Sequence, residues 1–431
     1  MASISSVRKA EITPENVTNT GKFSFASGSP IIQLQFAASP ALLRTSSLRL
    51  NGKLTVRTTA GVAQPTNDGT AGAGCHLSPT VGIQSMIENL TLSNSAGTVL
   101  ESVRSYNRLV AAIHGGTMSL NDHMSDGGNS ICDGLDSTSP FLVNTKEVPF
   151  SFRLYAGMLM GASAIPLEQI QGLKVAIELS PSSNVLFGSA ASTFDYDISE
   201  VSLSCDLLTV SSPGGPKANV LPSTGAFPYK CWSSLYSTII SGDSTLTFNL
   251  PQKAVQSITH SFPKSTDQNN AAVDSPALNP LQNAGGAAAL KRVDFSKNGV
   301  KLAFDHSLDV ATQSAVGLPE TQVLTQSIGA FQPFREANHF GNTPIGVGFG
   351  SQPTPPFGVG AFIPTSEDAK RSFSIGLDLD KLSGVGQAFQ GQPYSVRIRS
   401  DLTGSQSNAV HTHVLAASVI QYGPQGVMVS S

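Results

Sequence analysis

The sequence predicts an all-β chain folded as two tandem β-sandwich domains. Three observations predict it. Apolar residues alternate with period two in both halves, a breaker cluster Ser211-Ser212-Pro213-Gly214-Gly215-Pro216 divides the halves, and helical spacing interrupts the alternation at one segment of the first half. The first run closes at about Tyr196–Leu207, and the second extends from about Trp232 to the end. With 431 residues the chain can bury two cores of ordinary domain size.

In chain order, Leu48, Leu50, Leu54 and Val56 share one parity, with Gly52 filling the gap. A two-residue turn at Asn51-Gly52 would pair Leu50 with Lys53 and split the apolar residues between faces, so one continuous strand is expected there. Helical spacing then appears in Val103, Tyr106, Val110 and Ile113, ended by Gly115-Gly116, and predicts a short helix over about 101–114 with Tyr106 in the core. A long polar loop follows over 115–136. Alternation returns at Val148, Phe150, Phe152 and Leu154, and again at Leu173, Val175, Ile177 and Leu179. Each set reads as a half-buried strand of a sandwich.

The second half repeats the plan. Leu246, Phe248 and Leu250 open it, followed by Val300, Leu302 and Phe304, then Phe373, Ile375, Leu377 and Leu379, then Tyr394, Val396 and Ile398. Residues 265–290 and 333–364 read as long excursions suited to contacts with partners. The halves share architecture without a residue-by-residue repeat.

Charged residues make up only 13% of the chain, about half the usual share, and net charge is −3. No basic field exists to hold phosphates, so direct nucleic-acid binding is disfavoured. Cys75, Cys132, Cys205 and Cys231 have no metal-ligand spacing, and Cys205 continues the apolar parity of Val201, Leu203 and Leu207. The first nine residues lack the apolar stretch of a signal peptide, and no segment has the length of an apolar membrane helix.

No phosphate-binding loop, HExxH, GxSxG or calcium loop occurs. Gly346-Val347-Gly348-Phe349-Gly350 sits among prolines and reads as a turn-rich loop. His411-Thr412-His413 would aim both imidazoles to one face of a strand; with no third ligand nearby, an exposed pair is expected rather than a metal site. Asp195-Tyr196-Asp197 and Asp378-Leu379-Asp380 place paired carboxylates opposite buried Tyr196 and Leu379, facing solvent. No catalytic, cofactor-binding or metal-binding residue is assigned, and no cofactor is expected.

Several segments resemble the major capsid proteins of the double jelly-roll viral lineage, particularly those of small icosahedral DNA viruses and their phage-like relatives. Leu48–Val56 is similar to an early strand of their first jelly roll. Gly82–Leu92, continuing through Val99-Leu100-Glu101 to Tyr106-Asn107-Arg108-Leu109, resembles their strand followed by a short helix. Ile165–Leu179 and Tyr196–Leu203 resemble the late and closing strands. The likeness covers most of the first half and is weaker in the second.

The resemblance implies two tandem jelly-roll β-sandwich domains with short helices and long inter-strand loops. It divides the chain into an N-terminal arm at 1–22, a first jelly roll at 23–210, a linker at 211–224, a second jelly roll at 225–422 and a C-terminal tail at 423–431. It implies a non-enzymatic homotrimer, a pseudo-hexameric capsomer that tiles an icosahedral virion shell. Its expected partners are neighbouring capsomers, penton and minor capsid proteins and an internal membrane. Both termini are expected to order by reaching a neighbour or the layer inside the shell. Two other classes compete. A secreted or surface carbohydrate-binding or adhesive protein would show a leader and exposed aromatics on a sheet face, and a β-sandwich hydrolase would use Asp195 or Asp378.

Overall fold

The computed structural model describes residues 3–16, 18, 20–58, 76–78, 81–117, 148–161, 164–187, 194–211, 224–239, 242–271, 275–276, 290–302, 308–309, 375–379, 386–400 and 407–430. In the first half the strands are β1 (Ser3–Ile12), β2 (Lys22–Phe23), β3 (Ile31–Phe36), β4 (Leu42–Thr58), β5 (His76–Leu77), β6 (Ile87–Ser93), β7 (Val99–Arg104), β8 (Val148–Phe152), β9 (Ala164–Pro166), β10 (Leu173–Leu179), β11 (Leu186–Phe187) and β12 (Phe194–Ser211). Two helices matter below, α1 (Tyr106–Thr117) and α2 (Gly157–Gly161). The second half contains β13 (Gly225–Ile239), β14 (Ser244–Asn249), β15 (Val255–Ser261), β16 (Leu290–Lys297), β17 (Val300–Lys301), β18 (Leu308–Asp309), β19 (Ile375–Asp378), β20 (Pro393–Ser400), β21 (Asn408–Gly423) and β22 (Gly426–Ser430).

The sheets pair as β1-β12-β4-β8 over β3-β10-β6-β7 in the first half, and as β13-β21-β15-β19 over β14-β20-β16-β17 in the second. Taking β1, β3, β4, β6, β7, β8, β10 and β12 as eight consecutive strands, the order is 1-8-3-6 in one sheet and 2-7-4-5 in the other. Applied to β13, β14, β15, β16, β17, β19, β20 and β21, the same count gives the same two orders. That is the jelly roll, eight strands wound into two facing antiparallel sheets, made twice in one chain.

Strand parity is confirmed where it was clearest. Leu48, Leu50, Leu54 and Val56 are buried on β4, and Leu173, Val175, Ile177 and Leu179 on β10. Asn51-Gly52 lies inside β4, with Leu50 opposite Phe152 and Gly52 opposite Phe150. A Cβ at Gly52 would come within 2.6 Å of the Phe150 ring, which explains a glycine in mid-strand.

Several expectations need correction. The N-terminal segment is no free arm, because β1 pairs along its length with β12, from Ser3 opposite Ser211 to Ile12 opposite Leu203. Likewise the C-terminal segment folds back as β22 onto β21, with Val427 and Val429 packed on the first core. The helix begins at Tyr106 instead of 101. Val99–Arg104 is strand β7, and Ser105, at φ 51°, turns the chain out of the sheet while its carbonyl accepts the first helical N–H groups, from Arg108 and Leu109. Val300 is 70% exposed, because Asn298-Gly299 (φ 48° and 78°) makes a tight hairpin between β16 and β17 that places Val300 opposite Lys297. The breaker cluster after Ser211, most of the loop from 115, the excursion at 333–364 and the glycine run at 346–350 lie outside the described residues.

Candidate functional site at the junction of the two sandwiches

The two sandwiches meet along one sheet. In β21 the even-numbered Val410 and Val414 pack into the second core, whereas Leu415 joins the first core with Trp232 and Tyr229 of β13. Although β13 at the edge of this sheet keeps exposed positions such as Tyr236, the central strands β21 and β15 are therefore buried on both faces. This explains why all of β15 is buried although it reads Val-Gln-Ser-Ile-Thr-His-Ser.

At the centre of the junction stands Glu101, carried by β7 of the first sandwich. Its Oε1 accepts the backbone N–H of Gly157 (2.7 Å) and of Trp232 (2.7 Å), and its Oε2 that of Met158 (2.9 Å). One carboxylate thus ties β7, the start of α2 and a strand of the second sandwich. Burial pushes its pKa up to about 7, outweighing the three donors that pull it down. Beside it Tyr229 donates to the Leu100 carbonyl (2.6 Å), and the Arg104 N–H donates to Ser234 Oγ (3.2 Å). Backbone approach is closest at Gly157, where a Cβ would sit 2.9 Å from the Lys230 carbonyl oxygen.

The histidine pair also belongs to this junction. His411 and His413 are both buried, correcting the expectation of an exposed pair: the sheet face that would meet water in a lone sandwich meets the first domain instead. His411 Nε2 lies 3.3 Å from Gln268 Nε2, and its ring packs edge-on against Tyr236 at 5.2 Å. Burial, then the Arg108 charge, then His413 hold its pKa well below the usual value. Burial lowers His413 to about 4, against backbone groups of Arg104 and Ser105 that favour its charged form. Among the described residues no three His, Cys, Asp or Glu side chains are grouped to hold a metal.

On the other face of this sheet His260 sits inside the second sandwich, between Thr412 Oγ1 on Nδ1 and Tyr394 Oη on Nε2, each at 2.8 Å. Its ring stacks with those of Tyr394 (5.8 Å) and Phe295 (5.9 Å), and burial followed by His413 lowers its pKa to about 3. It packs as a neutral aromatic. At the rim of the junction a cleft of about 520 Å³ is lined by Ser182, Ser183, Thr266, Gln268 and Asn269, among others. There Asn184 of the first half accepts from Asn269 N–H (3.1 Å) and Ser275 Oγ (2.6 Å) of the second.

Asp195 and Asp197 do not face solvent as expected but lie largely buried beside Arg57, and the Asp378 side chain lies outside the described residues. Asp197 accepts Arg57 Nε at 3.0 Å and Asp195 lies 3.9 Å from Arg57 Nη1, while Tyr196 between them is buried and donates to the Ser180 carbonyl. Leu379 is buried as expected, and Asp380 lies outside the described residues. Tyr106 packs in the first core as expected and also accepts Tyr155 N–H while donating to Gln84 (both 2.8 Å). Cys205 is buried as a small hydrophobe and its thiol is pushed up to about 12; Cys231 contacts Ser418 Oγ at 2.9 Å. Sequence reasoning missed Glu101, because a single acid in a strand carries no spacing signal. Its one hint was parity: Glu101 interrupts an otherwise apolar neighbourhood between Leu100 and Val103.

The topology and the closed junction define the class, a double jelly-roll protein. Solved structures carry the same arrangement at low sequence identity. The PBCV-1 virus capsid aligns over 99% of this chain and 96% of its own, with TM-score 0.61 and 10% identity. The Sputnik virophage structure aligns over 99% of this chain and 88% of its own, with TM-score 0.57 and 10% identity. No protein-family model and no curated protein sequence matches the chain. The likeness is one of fold.

Proposed function

We propose that the chain is a major capsid protein that trimerises into pseudo-hexameric capsomers and builds the icosahedral shell of a virion. One observation carries this reading: the same eight-strand order occurs twice in one chain, locked together by a buried junction. Two similar rigid sandwiches per subunit give a trimer six similar lobes, a shape that tiles a surface with sixfold neighbours. The double jelly-roll likeness to the PBCV-1 and Sputnik structures supports it. The proposed partners are three copies of this chain, adjoining capsomers, penton and minor capsid proteins, and a membrane beneath the shell. The protein is proposed to act by its interfaces, with no enzymatic step.

The carbohydrate-binding alternative draws no support from the single tryptophan, since Trp232 is 1% exposed and lies in the junction. Light scattering after size exclusion tests the main reading. The expected species has three times the 44.8 kDa chain mass, and electron micrographs should show six-lobed particles that assemble into shells. A persistent monomer at every concentration would overturn it.

A further inference from the structure

We propose that the junction between the sandwiches is an acid-operated joint: His411 and His413, buried neutral on the face of β21 that meets the first sandwich, take up protons as the pH falls, and the two sandwiches part. Among the described residues no carboxylate acts on either imidazole, and only backbone groups of Arg104 and Ser105 favour the charged form of His413. His413 Nε2 is buried without a hydrogen bond, and His413 pairs in register with Ser234, which itself holds the Arg104 N–H of the first sandwich.

The charged and titratable groups facing the pair from each packed element are known. From the end of β7 come backbone groups of Arg104 and Ser105; from α1, the Arg108 charge; from β13, Tyr236; and from β15, across the sheet, His260. Arg108 adds positive charge beside His411, and the nearest acid of β7, Glu101, is already engaged by three N–H groups. Row-mates of the histidines on β15 are Thr259 and Ser261, which carry no counter-charge. Water has a route, because Gln268, which touches His411, also lines the rim cleft.

Both histidines have depressed values in the closed form, so its stability is complete above about 6.5 and declines as pH falls toward about 4. Each proton taken up on opening shifts the closed-to-open ratio by about tenfold per pH unit, so two histidines give up to about a hundredfold. Glu101 works in the opposite sense. Its raised value favours the closed form below about 4.5, an advantage lost as pH rises through about 7. It tempers the opening with one proton against two.

The single tryptophan reports this joint directly, since Trp232 donates its backbone N–H to Glu101 and is buried by both sandwiches. A pH titration of the full chain from 7.5 to 4 should red-shift Trp232 emission in a step that precedes loss of the far-ultraviolet circular dichroism signal. Exchange of backbone amides at 100–105 and 229–236 should rise in the same step. The double variant His411→Gln/His413→Gln should lose the step, and His411→Gln alone should make it shallower; Glu101→Gln should retain it. If emission changes only with global unfolding, or the step survives in both histidine variants, or Glu101→Gln abolishes it, the joint is not worked by these histidines.

Discussion

Strands one, eight, three and six form the same sheet in both sandwiches, yet the outward faces of the two sheets are built from different chemistry. In the first sandwich that face carries charge, largely buried around Arg57 and open to solvent at Lys53, Glu200 and Arg44. Arg57 pairs with Asp195 and Asp197, Lys53 with Glu200, and Arg44 with Asp206. A hydrogen-bonded line crosses all four strands, with Ser202 donating to Glu11, Asn51 to Ser204, and Ser151 to Asn51. In the second sandwich the equivalent face is covered and holds Ser257, Thr259, Ser261, His411, His413, Leu415 and Trp232. Hydroxyls and neutral imidazoles replace ion pairs, because desolvating a charge costs more than its partner returns. One topology thus tolerates two chemistries, and the presence of water on the face decides which.

The sharpest way to break this comparison is to place the same charge on both faces. Thr259→Asp on the covered sheet should lower stability by about 4 kcal/mol, whereas Ser204→Asp on the open sheet, beside Arg49, should cost less than about 1 kcal/mol. Urea unfolding of the two variants measures both. Next in size is Glu101→Ala, which orphans three buried N–H donors and should cost about 3 kcal/mol, with amide exchange rising first at 157–158 and 232. Gly157→Ala drives a Cβ against the Lys230 backbone and should cost about 1–3 kcal/mol, read as a lower thermal midpoint. The smallest effect belongs to Lys53→Met on the open face, whose partner Glu200 is exposed. It should cost about 1 kcal/mol or less, and the difference from the unaltered protein should shrink in high salt.

The same division explains what the sequence made legible. Strands with one wet face announced themselves by alternation, as in Leu48–Val56 and Leu173–Leu179. Strands covered on both faces did not: β15 reads as a polar segment and β21 carries two histidines, since the buried outer face is filled by small or neutral polar groups. β1 escaped notice because its pairing partner lies about 200 residues away and Ser3–Ile12 has little apolar content. Asn-Gly occurs as mid-strand at 51–52 and as a hairpin turn at 298–299, and only the parity of flanking apolar residues separates the two. The junction was beyond sequence reasoning for a different reason. Glu101 gains its role from three backbone donors, and backbone groups leave no residue signature.

In each sandwich the eighth jelly-roll strand is a central one: β12 lies between β1 and β4, and β21 between β13 and β15. During translation neither large sheet can close until its eighth strand has left the ribosome. Pairings as distant as Ser3 with Ser211 must form late and slowly, at high loop-closure cost. A nascent chain halted before Asn408 would hold β13 and β15 with no strand between them, two unpaired edges open to other chains.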